Sequence, residues 1–138
     1  MRFLSLAFCA LALAACDSGG PGTDLAFSVT LREDVTTVAT GQILLDAVPS
    51  VGATVTGAYT LTAPGGGPLP PMTRSTGNIS GVLDASGVLT LTLLEPNVND
   101  SNAQLSGVYA ADAYSGTWGV ITIAGYQERG SFTGTASD

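Results

Sequence analysis

Apolar and polar residues alternate along most of the chain after residue 24. In LAFSVTLR, residues 25–32, apolar side chains occupy every second position, and most of the positions between them are Ser, Thr or Arg. The segment TVTGAYTLTA, residues 54–63, repeats the alternation with threonines on one side. A period of two is typical of a strand with one face buried and the other in water. Because no segment shows a helical period, an all-β structure is predicted.

The alternation predicts eight strands joined mostly by short turns. They cover residues 25–32, 41–48, 54–63, 75–84, 88–94, 103–110, 114–124 and 128–136. Turns are predicted at 49–52, 84–87, 111–113 and 125–127, and longer loops at 64–74 and 95–102. This order favours an antiparallel up-and-down barrel or a strongly coiled β-sandwich of about eight strands. The predicted shape is similar to that of lipocalin- and avidin-type barrels, in architecture only.

Glycine recurs where a core side chain is expected. An apolar residue, Ser or Thr, Gly, a small residue and then an apolar residue or Ala follow one another five times, at residues 55–59, 79–83, 105–109, 114–118 and 132–136. In a strand the first, third and fifth positions share a face, so the five glycines point inward. They are Gly57, Gly81, Gly107, Gly116 and Gly134. Curvature of the sheet is the favoured reason, and close approach of a ligand is the alternative.

A further glycine, Gly119, is predicted to add a bulge that shifts the apolar face to Ile121 and Ile123.

The N-terminus has the order of features found in secretion signals. Arg2 precedes an apolar run at residues 3–12 that is too short to span a bilayer, and Leu13-Ala14-Ala15-Cys16 follows. This end resembles the lipobox of bacterial lipoproteins. The resemblance implies a diacylglyceryl group on the Cys16 sulfur, cleavage before Cys16 and acylation of the new amino terminus. The alternative is an ordinary secretory signal cleaved after Ala15.

The domain order follows from this resemblance. Residues 1–15 are the lipoprotein signal peptide, residues 16–24 the lipidated Cys16 with a Gly/Ser-rich flexible tether, and residues 25–138 the β-barrel-like domain. Two or three acyl chains anchor a protein stably to a membrane. The expected location is the bacterial cell envelope, facing the periplasm or the outside. Asp17 resembles an inner-membrane retention signal of enteric bacteria, and the choice between inner and outer membrane stays open.

Composition excludes several classes of function. The net charge is −7, and Arg32, Arg74 and Arg129 are the basic side chains beyond the leader. Since nucleic-acid binding requires a basic patch, no nucleic-acid partner is predicted. Histidine and lysine are absent, and Cys16 is expected to be acylated. Ser-His-Asp triads, Schiff bases and His/Cys zinc sites are therefore excluded, and no cofactor is predicted.

Carboxylates are the remaining candidates for catalysis. A carboxylate-dependent hydrolase would use a pair of acids set across a cleft. The acids at or beside predicted strand ends are Asp84, Glu95, Asp100, Asp112 and Glu128. No motif joins them, so the chain is predicted not to be an enzyme.

Two loops and a set of aromatic residues are candidates for binding. Asn97, Asn99, Asp100 and Asn102 offer closely spaced oxygen ligands for calcium, although a solvated hairpin loop explains the same residues. A small apolar ligand at the mouth of the barrel would meet the GGGPLPPM loop and its neighbours. The residues proposed for that contact are Tyr59, Leu69, Met72, Tyr109 and Trp118. The alternatives are a loop folded onto the rim and a core tryptophan.

These features give three ranked hypotheses. The first is a membrane-anchored, non-catalytic envelope lipoprotein that serves as a structural or protein-interaction module. The second is a β-barrel that binds a small apolar ligand, since an eight-stranded barrel has room for one. The third is the carboxylate-dependent hydrolase.

Overall fold

The protein is a closed antiparallel β-barrel. Its structure, a computed structural model, describes residues 25–95, 102–110 and 112–137. The described residues form eight strands: β1 (Leu25–Glu33), β2 (Thr36–Leu45), β3 (Thr54–Thr62), β4 (Thr76–Leu83), β5 (Val88–Leu94), β6 (Asn102–Ala110), β7 (Ala113–Thr122) and β8 (Gly125–Ser137). Each strand pairs with the next one in the chain, and β8 pairs with β1. The predicted all-β, up-and-down antiparallel fold is confirmed, in its barrel form.

One short 3₁₀ helix, Pro64–Gly66, lies between β3 and β4. The part of the chain that the structure describes holds no helix with the length and apolar character of a membrane span.

The second strand was predicted in the wrong place. It was expected at 41–48 and instead covers Thr36–Leu45, joined to β1 by a tight turn at Asp34 and Val35. The pairing register shifts between Leu31, opposite Ala39, and Arg32, opposite Thr37, so that Val38 is the extra residue of a bulge. A bulge interrupts the alternation of faces. The start of β2 therefore lacks the period of two that marks the other strands.

The five repeated glycines face the interior, as predicted. Each lies on an inward position between core residues that are buried or, for Tyr109 and Ala136, half-buried; Gly116, for example, lies between the buried Tyr114 and Trp118. A Cβ atom at any of the five would come within 3.0 Å of a backbone atom of the adjacent strand. Gly107 and Gly116 pair directly with one another across β6 and β7. The missing side chains therefore allow neighbouring strands to coil closely around a narrow interior.

The interior of the barrel is filled by side chains. The buried core includes Phe27, Tyr114, Trp118 and Phe132, each at most 1% exposed, together with leucines from most of the strands. The rings of Tyr114 and Phe132 meet edge to face, with centroids 4.6 Å apart. An eight-stranded barrel is just wide enough for side chains to fill it. The interior is consequently a packed core.

The two largest core side chains also satisfy buried backbone groups. The Tyr114 hydroxyl donates toward the carbonyl oxygens of Leu89, at 2.9 Å, and Leu105, at 3.1 Å. Burial raises the pKa of Tyr114, so this hydroxyl keeps its proton and remains a donor. The Trp118 Nε1–H donates to the carbonyl oxygen of Arg32 at 3.0 Å. Both residues therefore fix strand positions by hydrogen bonding as well as by packing.

A register shift does occur beside Gly119, between Trp118 and Gly119, as predicted. The extra residue lies in β8, because Trp118 is opposite Gly130 while Gly119 is opposite Glu128. The alternation of β7 therefore continues unbroken to Val120, which is buried. The predicted shift of the apolar face to Ile121 and Ile123 is wrong. Ile121 is half-buried, and Ile123 at the β7–β8 turn is 96% exposed.

The connections fall at two ends of the barrel. One end is called here the tether end, because β1 begins there and the predicted tether precedes it. The β2–β3, β4–β5 and β6–β7 connections lie at the same end. At the loop end lie the β1–β2 turn, the β3–β4 loop, the β5–β6 connection and the β7–β8 turn. The predicted loop at 64–74, and the described ends of the one at 95–102, are thus at the end opposite to the start of β1.

Alanine at Gly116 is expected to lower the free energy of unfolding by about 1–3 kcal/mol, because its Cβ must displace the Gly107 backbone. The matched control is Ser115→Ala, an exposed outward position of the same strand, where the change should stay within about 0.5 kcal/mol. Urea unfolding followed by fluorescence of the single tryptophan, Trp118, measures both. Equal stability of the two variants would contradict the close approach of β6 and β7.

Candidate functional site

The β3–β4 loop, residues 63–75, is the longest fully described connection at the loop end. Leu69 folds back and packs against the core, so the loop is held on the barrel rim. A groove of about 450 Å³ lies on one side of the loop, between it and the β1–β2 hairpin, and contains Glu33 and Val38. A second groove of about 370 Å³ lies against Thr73 and Arg74. Leu69 lines both grooves.

A tight turn closes the proline-rich part of this loop. The amide of Thr73 donates to the carbonyl oxygen of Pro70 at 3.1 Å, and the buried Thr73 hydroxyl donates to the same oxygen at 2.6 Å. Pro71 and Met72 are its central residues, and Met72 has a φ of +66°. Proline followed by a left-handed residue defines a type II turn, in which the second position normally holds glycine. A methionine there costs backbone free energy, and such strain is concentrated at functional sites.

An ion pair holds the C-terminal end of the loop. The Arg74 Nε contacts the Glu95 carboxylate at the end of β5. The Glu95 side chain is only 7% exposed, whereas that of Arg74 is 55% exposed. Because Glu95 follows β5 and Arg74 belongs to the β3–β4 loop, the pair anchors the loop to the barrel.

The pair also lies close enough to Tyr59 to affect its pKa. Burial and the nearby negative charge of Glu95 raise the pKa of the Tyr59 hydroxyl, and the positive charge of Arg74 lowers it in part.

The five residues proposed for an apolar ligand are divided between the two ends. Tyr59 and Trp118 are buried in the core, at 3% and 0% exposure. Leu69 and Met72 lie together in the β3–β4 loop at the loop end. Tyr109 is half-buried near the tether end, where its ring packs edge-on against Phe27 and burial raises its pKa. The structure thus brings Leu69 and Met72 together and separates Tyr109 from them.

The candidate acids are also divided between the ends. Asp84 and Asp112 lie at the tether end, and Glu95 and Glu128 lie toward the loop end. Asp84 closes the predicted β4–β5 turn, where its Oδ1 accepts hydrogen bonds from the Ser86 hydroxyl at 2.6 Å and from the Val88 amide at 3.0 Å. These bonds lower the pKa of Asp84.

Part of the predicted calcium loop lies outside the described residues. Asn97, Asn99 and Asp100 belong to that part. The predicted lipidation site, Cys16, also lies outside the described residues. Asn102 begins β6, and its Oδ1 accepts a hydrogen bond from the Glu95 amide at 3.3 Å. Within residues 25–95, 102–110 and 112–137, no group of three or more His, Cys, Asp or Glu side chains is arranged to hold a metal ion.

Charge is distributed unequally between the two ends. Arg32, Arg74 and Arg129 all lie toward the loop end, mixed with acids such as Glu33. The charged side chains that the structure describes at the tether end are aspartates: Asp46, Asp84 and Asp112. Among the described residues, the charged side chains of the tether end are thus all acidic, and those of the loop end carry both signs.

Several features of the loop end were not predicted. The Arg74–Glu95 pair joins residues that are distant in sequence, and no local pattern signals it. Val35 and Ile123, 94% and 96% exposed, project from turns at this end and are the most exposed large apolar residues described. The turn at Pro71 and Met72 has a recognisable signal in its proline, but methionine hides the left-handed position that glycine would reveal.

Comparison with known proteins finds no matching family model, no matching curated protein and no matching solved structure.

Removing Arg74 is expected to destabilise the protein more than neutralising Glu95. Arg74→Ala leaves a buried carboxylate without its cation, at about 1–3 kcal/mol. Glu95→Gln leaves an arginine that is already half in water, at about 1 kcal/mol or less. Urea unfolding of both variants gives the order directly. A larger loss for Glu95→Gln would contradict the assignment of Glu95 as the buried partner.

Proposed function

We propose that the protein is a membrane-anchored, non-catalytic envelope lipoprotein whose barrel presents a protein-interaction surface at its loop end. The anchor is the acylated Cys16, and the expected location is the cell envelope, on a face outside the cytosol. The observation that carries the proposal is the position of Leu25. It begins β1 at the end opposite to the β3–β4 loop.

Anchoring at this position orients the domain. The predicted tether, residues 16–24, joins the barrel at the tether end, so the loop end is directed away from the bilayer. The acidic Asp46, Asp84 and Asp112 then face the lipid headgroups, and their repulsion by anionic lipids keeps the barrel off the bilayer surface. The exposed Val35 and Ile123 point away from the membrane, where a protein partner has access to them.

A small apolar ligand is the second candidate. The groove of about 450 Å³ beside Leu69 is within the size range of ligand pockets. Because the barrel interior is packed, such a ligand has to lie under the β3–β4 loop. Native mass spectrometry of the delipidated domain from cell extract separates the candidates, since a retained small molecule supports the second and a retained protein the first.

Replacing Cys16 by Ala is expected to move the chain from the membrane fraction to the soluble fraction, because the acyl chains then have no attachment point. Cys9→Ser is the matched control, since Cys9 lies in the leader and the predicted lipobox stays intact. Globomycin should cause the precursor of the unchanged protein to accumulate. Membrane association of the Cys16→Ala chain would contradict the anchor.

The orientation is measured by energy transfer to labelled lipid. Lipidated chains carrying a single cysteine dye at residue 85, in the β4–β5 turn, or at residue 67, in the β3–β4 loop, are placed in vesicles that contain an acceptor lipid. Transfer is expected to be stronger from residue 85, since the tether end lies nearer the membrane. Equal transfer from both sites, or stronger transfer from residue 67, contradicts the orientation.

A further inference from the structure

The segment Gly67-Pro68-Leu69-Pro70-Pro71 is held in an extended conformation by its own sequence. Gly67 is extended, with φ −72° and ψ −177°. The three prolines have φ fixed near −65°, and a residue before proline is restricted to extended conformations. Together these constraints give a short polyproline II segment that exists before any partner binds.

From Pro68 to Pro71, burial matches the period of this helix. Polyproline II has three residues per turn, so Pro68 and Pro71 fall on the same edge. Both are exposed, whereas Leu69 and Pro70 between them are half-buried, and Leu69 packs against the core. Pro68 and Pro71 therefore form a ridge, called here the proline ridge, whose underside is fixed by Leu69.

We propose that the proline ridge is the partner-binding element of the protein, and that its partner is a protein with an aromatic-lined groove bearing an acidic rim. This inference rests on the proposed function. Ridges of the P-x-x-P type bind by inserting proline rings between aromatic side chains, with little loss of conformational entropy. The sequence Pro68-Leu69-Pro70-Pro71 has this spacing.

The charge beside the ridge is the reason for expecting an acidic rim on the partner's groove. Arg74 lies three residues after the ridge, and its side chain is 55% exposed. Its Nε contacts Glu95 and its Nη1 donates to the Thr73 carbonyl oxygen at 3.4 Å, which leaves other N–H donors of the guanidinium to face outward. A partner carboxylate pairs with those donors. Glu33 lies in the groove on the other side of the loop. With opposite charges on its two flanks, the ridge fits a complementary groove in only one direction.

The strained turn supports the same assignment. Met72 keeps a left-handed conformation directly after Pro71, with its side chain half-exposed. Glycine would relieve this strain, so a methionine there is consistent with a side chain that contacts the partner. Since the ridge is at the end opposite to the anchor, the bilayer does not compete for it.

Site-specific photo-crosslinking of the full lipidated chain in the cells that produce it tests the proposal. A photoreactive residue is placed at position 67 or 75, exposed positions on either side of the intact ridge, and at position 115, an exposed outward site of β7, as the control. Positions 67 and 75 are expected to crosslink to one protein, at a peptide rich in aromatic residues with a nearby acid. Replacing Pro71 by Ala in the position-67 chain should lower the yield by about tenfold, and Arg74→Ala should lower it less.

Several results overturn the proposal. They are crosslinks no stronger than at position 115, crosslinks to lipid or to a second copy of the chain, and a partner peptide without aromatic residues. Trp118 fluorescence and urea unfolding check that each variant is folded before its yield is compared. If membrane anchoring and orientation hold while the ridge gives no specific crosslink, the inference fails and the proposed function stands. If the Cys16→Ala chain stays on the membrane, the proposed function fails independently.

Discussion

The close approach of neighbouring backbones at the inward glycines is the constraint on which the barrel depends. At Gly107 and Gly116 two strands meet with no side chain between them on the inner face. Coiling of this kind lets eight short strands close on themselves, with β8 pairing β1 through residues such as Gly134, opposite Val29. Closure leaves β1 and β8 paired along most of their length, which removes the open edges that would otherwise template aggregation.

The narrow interior then determines what the protein can do. Large rings from Tyr114, Trp118 and Phe132 occupy it, and the polar groups of Tyr114 and Trp118 bond to strand carbonyls. No buried side-chain polar atom among the described residues lacks a hydrogen-bond partner. Because side chains fill the interior, a ligand or partner has to be recognised on the outer surface. The loop end offers grooves, charges of both signs and the proline ridge.

The sequence allowed prediction of features governed by local rules. Alternation located most strands, the Asp84 turn followed from Asp and Gly at fixed positions, and the repeated glycines indicated the coiled sheet. Features that depend on how strands pair across the barrel could not be predicted from local sequence patterns. The bulge at Val38 hid the start of β2, and the bulge in β8 left the face of β7 unchanged, so Ile123 was misplaced. The Arg74–Glu95 pair likewise exists only once β3, β4 and β5 are assembled.

The closing seam between β1 and β8 gives the most direct test of the account. In solution NMR, the α protons of Gly134 should show nuclear Overhauser effects to residues on both sides, Val29 of β1 and Tyr114 of β7, because both pair with it. Contacts to Tyr114 together with contacts to Val29 mean a closed barrel with glycine turned inward. Contacts to Tyr114 alone, with rapid amide exchange along β1, would mean an open sheet and would contradict the closed barrel.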